Sequence, residues 1–372
     1  MKTTLSLTHN CNLNCSYCYA GKSRKKDMSW GTAQKAVDFA LDAYSGNGVS
    51  EFSFFGGEPF LCFDLMQKIT RYIHERVSET KIPVRISVTT NGTIFTPMIS
   101  DFLEDNHIDL CISIDGTEHI HNANRRFRNG RGSFKKVTTN LQKAVKQLSS
   151  VQVNSVFSAK TIKDLPATVR FLVDNGITVI HLNPNIMDRW DSAALRKINE
   201  VYTEISEYYI DCFNKGKEIA VNLIDGKMVL FLKGGYGEED KCSMGEREWG
   251  VAPSGNVYPC ERFIGDDTNH SLCLGNVHFG VNSQKCCSVI KNRGNRNTQC
   301  SRCDLQKYCM NWCGCTNYHT TGATDLASAM LCESESAAIG AAQHVFSVLA
   351  KGNSDLFMDH LLHYVHEGQR YH

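Results

Sequence analysis

Cys11, Cys15 and Cys18 stand at C-x3-C-x2-C spacing within residues 8–20. Three thiolates so close in sequence can wrap one compact metal centre, because a short irregular loop can turn all three sulfurs inward. A [4Fe–4S] cube has four irons, and Cys is their usual ligand. Three cysteines therefore leave one iron open to a small molecule. A structural zinc ion would call for a fourth ligand, and His9 lies too near Cys11 in the chain to close a tetrahedron. Tyr17 places an aromatic ring just before the last cysteine. Further along, Gly56-Gly57-Glu58-Pro59 combines two residues that permit close backbone approach, a carboxylate, and a proline suited to opening a helix. Asn91 lies in Thr89-Thr90-Asn91-Gly92-Thr93, and Ser113 opens Ser113-Ile114-Asp115-Gly116.

A second set of chemistry-bearing residues begins at Cys242. Cys242 and Cys260 are followed by Cys300, Cys303, Cys309, Cys313 and then Cys332. C-x2-C pairs alone would read as zinc ribbons. The chain holds 17 cysteines in 372 residues and shows no apolar run after Lys2 before Asn10. That combination points to metal ligation in a reducing cytoplasm rather than to a disulfide framework. Hydrophobic residues make up 42%, charged residues 21% and the formal net charge is +1. These are values of a globular chain, with no electrostatic footprint of nucleic acid or membrane.

The elements that must position these residues alternate. Strand patterns fall at residues 3–7, 51–55, 84–90, 109–114, 151–157 and 178–183. Helical apolar spacing appears between them. Trp30, Ala33, Val37 and Leu41 share one face behind a capping Ser29, and Leu61, Leu65, Ile69, Ile73 and Val77 form another. A short helix falls near residues 98–103, Phe134, Val137, Leu141, Val145 and Leu148 mark a longer one, and helices near residues 165–175 and 192–213 follow. Six strand–helix steps predict an α/β fold with a parallel sheet and function at the C-terminal strand ends. The cysteine loop follows the first strand, as this requires. Residues 333–350 and 356–365 read as helices, Cys62, Cys111 and Cys212 as core residues, and the histidines of the tail (His360, His363, His366, His372) as solvated.

The cysteine loop resembles that of the radical S-adenosylmethionine (radical SAM) enzymes. In that family the open iron binds the amino and carboxylate groups of S-adenosylmethionine, and reductive cleavage yields a 5′-deoxyadenosyl radical. The resemblance implies a partial (β/α)6 barrel. It also implies cofactor contacts from Tyr17, from Gly56, Gly57, Glu58 and Pro59 at the amino group, from Asn91 near the ribose or carboxylate, and from Ser113 at the ribose. His121 and Arg125 are similar to an H-D-x-x-R pattern in which Asn122 replaces the acid. Arg125 then suits bidentate pairing with the cofactor carboxylate, and the basic run 125–128 reads equally well as a solvated loop.

The later cysteines resemble, in order, the seven-cysteine motif of the SPASM domain. That resemblance implies two auxiliary [4Fe–4S] clusters, for three in all. Cys242, Cys260 and Cys313 would hold the first, and Cys300, Cys303, Cys309 and Cys332 the second. Some members carry an additional Cys between the positions of Cys242 and Cys260. Here either Cys273 closes the first site or one iron stays open. Glu261 follows Cys260 where sulfatase maturases carry a proton-accepting Asp, so it reads as a catalytic base or as a surface partner of Arg262.

The expected order is a barrel over residues 1–190, a linking helix and strand region over 191–241, an auxiliary-cluster domain over 242–335 and a helical tail over 336–372. The expected activity is oxidative modification of a peptide or protein residue: a thioether or carbon–carbon crosslink, or formylglycine formation in a sulfatase. Expected partners are that substrate and an external electron donor such as flavodoxin or ferredoxin. Because little chain precedes residue 3, a leader peptide is expected to need a separate binding partner or a barrel surface. Two alternatives are oxidation of a small alcohol and a non-catalytic electron carrier. The Gly-Gly-Glu-Pro segment argues against the carrier, which needs no amino-acid-binding loop.

Overall fold

The structure is a computed structural model describing residues 1–21, 24–46, 48–268, 270–291, 299–352 and 354–366. In chain order the first half contains β1 (Lys2–Ser6), α1 (Trp30–Asp42), β2 (Ser50–Phe55), α2 (Phe63–Thr80), β3 (Val84–Thr90), α3 (Pro97–Asp105), β4 (Ile108–Ser113), α4 (Glu118–Asn124), α5 (Phe134–Gln147), β5 (Val151–Phe157), α6 (Leu165–Asp174), β6 (Val179–Pro184) and α7 (Ser192–Asn214). There follow β7 (Ala220–Val221), α8 (Asn222–Lys233), β8 (Glu248–Val251), β9 (Asn256–Tyr258), β10 (Gly275–Asn276), β11 (Gly280–Val281), α9 (Ser283–Lys291), α10 (Gly314–Thr321), α11 (Ala329–Lys351) and α12 (Asp355–His366). The expected alternation is present: each of β1 to β6 is followed by a helix.

The chain forms two compact units, each assembled from separated stretches. The first comprises residues 1–113, 122–151 and 242–292, and the second residues 114–121, 152–241 and 293–372. In the first unit β1 to β4 are parallel neighbours. β8 adds parallel to the free side of β1, and β9, β10 and β11 continue antiparallel. The start of the cysteine-rich segment is thus a continuation of the sheet, where its weak periodicity gave no strand signal.

Local chemistry explains the helices. The Ser29 hydroxyl accepts from the Thr32 N–H at 3.1 Å and starts α1, satisfying one of the donors a helix start leaves open. Ala33, Ala36, Val37, Ala40 and Leu41 form its buried face. Trp30, expected on that face, is exposed and stands edge-on to Tyr72. Leu61 is likewise exposed, because Pro59–Cys62 is a 3₁₀ turn that precedes α2 and breaks the helical register.

In the second unit β5, β6 and β7 pair in parallel. α11 packs on α7 and α8, with Tyr202 and Ser334 hydroxyls 3.0 Å apart between them. Among the core cysteines expected, Cys212 is buried, whereas Cys62 and Cys111 are half-buried. Cys111 falls on the less enclosed face of β4, and Cys62 ends the 3₁₀ turn. The solvated-tail expectation fails at His360. That side chain is buried, with Nε2 2.7 Å from Asp225 and Nδ1 2.8 Å from Glu218. His372 and the His366 side chain lie outside the described residues.

Candidate active site

The cysteine loop leaves β1 and is held on two sides within the first unit. On one side the β2 exit turn lies against it: the Gly57 N–H donates to the Thr8 carbonyl at 2.7 Å and the Glu58 N–H to the Asn10 carbonyl at 2.9 Å. Gly56 has φ of +130°, and a side chain there would bring Cβ within 2.5 Å of the Thr8 oxygen. A side chain at Gly57 would overlap the Asn10 carbonyl. The close approach that the glycines permit is therefore to the backbone of the cysteine loop itself.

On the other side lie residues 122–132. Asn14 N–H donates to the Arg126 carbonyl at 2.8 Å, Ser16 N–H to the Asn124 carbonyl at 3.0 Å, and Leu13 bridges Phe127. The Arg128 guanidinium donates to Asn10 Oδ1 at 2.7 Å. The basic run is thus a wall of the loop whose Arg126 and Arg128 side chains are exposed, while Arg125 is buried. Arg125 is 7% exposed, and its guanidinium carbon lies 5.5 Å from the centre of the Tyr17 ring, a cation–π contact. The Ser133 hydroxyl donates to the Arg125 carbonyl at 2.8 Å and fixes this wall at the start of α5.

Glu58 is fully enclosed. Its Oε1 accepts from the Phe60 N–H and the Thr90 hydroxyl at 3.1 and 2.8 Å, and Oε2 from the Asn91 N–H at 2.8 Å. Burial pushes its carboxyl up to about 7, with the three hydrogen bonds pulling the other way. The acid ties the end of β2 to the end of β3, and Pro59 opens the 3₁₀ turn beside it. Asn91 also faces inward. Its Nδ2 donates to Asn12 Oδ1 at 2.8 Å and approaches Cys11 Sγ at 3.6 Å, while Oδ1 accepts from Thr93. The Leu13 N–H donates to the same sulfur at 3.4 Å. Burial raises the Cys11 thiol, and these donors oppose the rise. Ser113 is buried at the end of β4. Asp115 belongs to the second unit, where Oδ1 accepts from the Val156 N–H at 3.2 Å and shapes the turn.

The first unit holds Cys11, Cys15, Cys18, Tyr17, the Gly56–Pro59 turn, Asn91, Ser113 and Arg125. It also carries Cys242, Cys260 and Glu261. The Cys242 thiol lies 3.1 Å from a Glu248 oxygen and the Cys260 thiol 3.2 Å from a Glu261 oxygen. Glu261 is half-buried, which corrects its reading as a surface residue. Burial raises its carboxyl, but Lys2 foremost, then Arg262, hold it below the usual range.

Cys300, Cys303, Cys309, Cys313 and Cys332 belong to the second unit. Cys303 N–H donates to the Cys300 carbonyl, and Cys332 sits on α11. Burial raises the Cys332 thiol, and the charges of Cys300 and Cys303 add to the rise. Burial pushes Cys309 up to about 12, with Glu335 adding to it. Sequence reasoning missed the pair beneath Cys309. Lys227 Nζ donates to Glu335 at 2.7 Å and to the Tyr308 carbonyl at 3.0 Å, while Glu335 also accepts from the Met310 N–H. A lysine directly before the apolar run Met228 to Leu232 of α8 was the available signal.

These donor sets suit iron: each contains clustered thiols, the soft ligands that iron–sulfur clusters take. The radical SAM superfamily signature matches residues 5–172. An uncharacterized protein of Methanocaldococcus jannaschii is 33% identical over 47% of this chain and 59% of its own length. A cysteine-type anaerobic sulfatase-maturating enzyme of Clostridium novyi is 23% identical over 82% of this chain and 85% of its own. The structure of native anSMEcpe with bound AdoMet and a Cp18Cys peptide matches with a TM-score of 0.80 at 20% identity, covering 94% of this chain and 99% of that one. Residues 5–172 thus carry a radical SAM domain, and the chain has the fold of the anaerobic sulfatase-maturating enzyme structure. The family implies a [4Fe–4S] cluster and S-adenosylmethionine. Among the described residues no helix is long and apolar enough to cross a membrane.

Proposed function

We propose that this enzyme oxidises a residue of a peptide or protein, with Cys11, Cys15 and Cys18 holding the radical cluster. The reading is carried by one observation: a braced cysteine loop and seven further cysteines stand on a chain that shares 94% of its length with a peptide-bound maturase fold. When bound, the radical cluster and S-adenosylmethionine supply one-electron cleavage and a carbon radical able to take a hydrogen atom. The chain's residues prepare the site. Gly56 and Gly57 seat the loop, Glu58 fixes the strand-end backbone that faces the amino group, and Asn91 and Leu13 direct donors at the Cys11 sulfur. Arg125, held over Tyr17, offers a guanidinium to the cofactor carboxylate, and Ser113 a hydroxyl to the ribose.

With the clusters and S-adenosylmethionine bound, the site would supply hydrogen-atom removal and a one-electron acceptor, and Glu261 would accept the proton the substrate gives up, for a net two-electron oxidation. The first auxiliary cluster draws on Cys242 and Cys260, and the second on Cys300, Cys303, Cys309 and Cys332. The products in view are a thioether or carbon–carbon crosslink in a ribosomal peptide, or formylglycine in a sulfatase. A flavodoxin or ferredoxin supplies the priming electron in the cytoplasm.

The test is iron and sulfide analysis of anaerobically reconstituted protein beside a deoxyadenosine assay under dithionite. Three cubes predict about twelve irons. Replacing Cys11, Cys15 and Cys18 by Ala should remove about four and abolish cofactor cleavage. Candidate peptides deuterated at the reacting carbon should pass deuterium to 5′-deoxyadenosine. Cleavage surviving in the triple variant, or zinc bound at residues 300–313 with one cube present, would refute the reading.

A further inference from the structure

We propose that Glu248 is a carboxylate ligand of the first auxiliary cluster, completing a mixed thiolate–carboxylate donor set with Cys242 and Cys260. The proposal rests on the auxiliary-cluster reading above. In sequence that site is one ligand short, and the structure puts an acid where the ligand is missing. Glu248 Oε2 lies 3.1 Å from Cys242 Sγ. Its carboxylate, the Cys260 sulfur and a Glu261 oxygen all lie within 4.8 Å of one another. Glu248 is thus the residue that reaches both cysteines.

The chain is shaped to make this convergence. The Ser243 carbonyl accepts from the N–H groups of Glu246, Arg247 and Glu248 at 2.9, 2.9 and 3.1 Å. This tight turn folds Cys242 back beside Glu248 at the start of β8. Gly250 follows two residues later, on the same face of the strand. A Cβ at Gly250 would stand 2.8 Å from the Glu261 Cα and 3.0 Å from the Cys260 carbonyl carbon. The missing side chain lets the Cys260–Glu261 backbone lie directly against β8, next to Glu248.

The competing donors are placed otherwise. The Cys273 thiol donates to the Gly275 carbonyl at 3.2 Å and is outside the group of converging ligand atoms. Cys286 packs among Trp249, Val257 and Leu274. Glu261 touches the sulfur of its own neighbour, Cys260. Pairing with Lys2 does not account for Glu248 either. Lys2 is in register with Glu248 on β8, and its charge acts on that carboxylate. An ion pair with Lys2 alone would not call for two thiols beside the same carboxylate. Iron accepts a harder ligand at one corner of a cluster, and exchanging a thiolate for another donor changes the cluster's electronic properties, as imidazole does in Rieske centres.

The test uses the full chain with Cys11, Cys15 and Cys18 changed to Ala, reconstituted anaerobically, so that auxiliary clusters alone remain. In that background Glu248→Cys, Glu248→Ala and the unsubstituted Glu248 protein are compared by iron content and by electron paramagnetic resonance. Glu248→Cys should keep its iron and show a shifted spectrum. Under mild oxidation the rate of iron loss should rank Ala above Glu above Cys, with three-iron clusters accumulating first in Glu248→Ala. Identical spectra and identical iron loss in all three would overturn the proposal while leaving the auxiliary cluster in place. A Cys242→Ala/Cys260→Ala control that loses no iron would overturn the auxiliary reading and this proposal together.

Discussion

Replacing Lys227 by Met should loosen the segment that carries Cys309. Lys227 and Glu335 are 5% and 8% exposed and meet at 2.7 Å. The pair also holds the backbone at two points, the Tyr308 carbonyl and the Met310 N–H. Removing one partner of a buried ion pair leaves the other uncompensated, at a cost of about 3–5 kcal/mol. Lys227→Met and Glu335→Leu should each cost this much, or roughly 6–10 kcal/mol if they simply summed. The double variant buries no charge and orphans two backbone groups, at about 1–3 kcal/mol each, or roughly 2–6 kcal/mol. Native-state hydrogen exchange followed by mass spectrometry reads this locally. Protection of the peptide containing Met310 should fall at least about a hundredfold in either single variant, since 1.4 kcal/mol is tenfold. The double variant should fall short of the product of the two. Unchanged protection in Lys227→Met, or strict additivity, would refute a coupled buried pair as the anchor of Cys309.

Gly57→Ala should force the cysteine loop away from β2 at about 1–3 kcal/mol, as overpacking does, and cost the radical cluster's share of iron while auxiliary signals persist. Retention of full iron would sink it. His360 sits between Asp225 and Glu218. Burial alone would lower its pKa, but hydrogen bonding and charge from Asp225, then Glu218, raise it above 6.5. The stability it adds is therefore complete below pH 6.5 and disappears as pH rises through the raised folded-state value. Proteolysis of α12 should accelerate with pH across that window, and His360→Asn should abolish the trend; a trend that persists in His360→Asn would refute it. Glu261→Gln should keep its clusters and its cofactor cleavage but lose product by roughly 10²–10⁴-fold, the usual worth of a general base. Near-normal product yield would remove Glu261 from the chemistry.

What could be read from sequence was what is local in sequence. The strand patterns at residues 84–90 and 151–157 coincide with β3 and β5, because a half-buried strand writes its alternation into consecutive residues. Ser29 capped α1 as its type suggested. Trp30 and Leu61 departed from their helical faces because each stands at an element's edge, where a turn or a cap overrides periodicity. β8 to β11 were invisible for another reason. They are strands of two to four residues, too short for a period to show. They exist because β1 leaves an unpaired edge and the returning chain satisfies it.

The candidate site divides in the same way. Ligand types and spacings were legible, since a cluster loop must keep its cysteines close along the chain. What holds those residues was not legible, because each brace joins positions far apart. Asn91 reaches Cys11 across 80 residues and Lys227 reaches Glu335 across 108. The Gly-Gly-Glu-Pro turn shows how a correct location can carry a different physical task. Its glycines are required by the Thr8–Asn10 backbone, and its acid by the Thr90 hydroxyl and the Asn91 N–H. The turn is thus a clamp on the cysteine loop before it is a contact for any bound molecule. A change there should therefore register first in whether the cluster is retained. Cofactor affinity, measured on protein that has kept its iron, should change less.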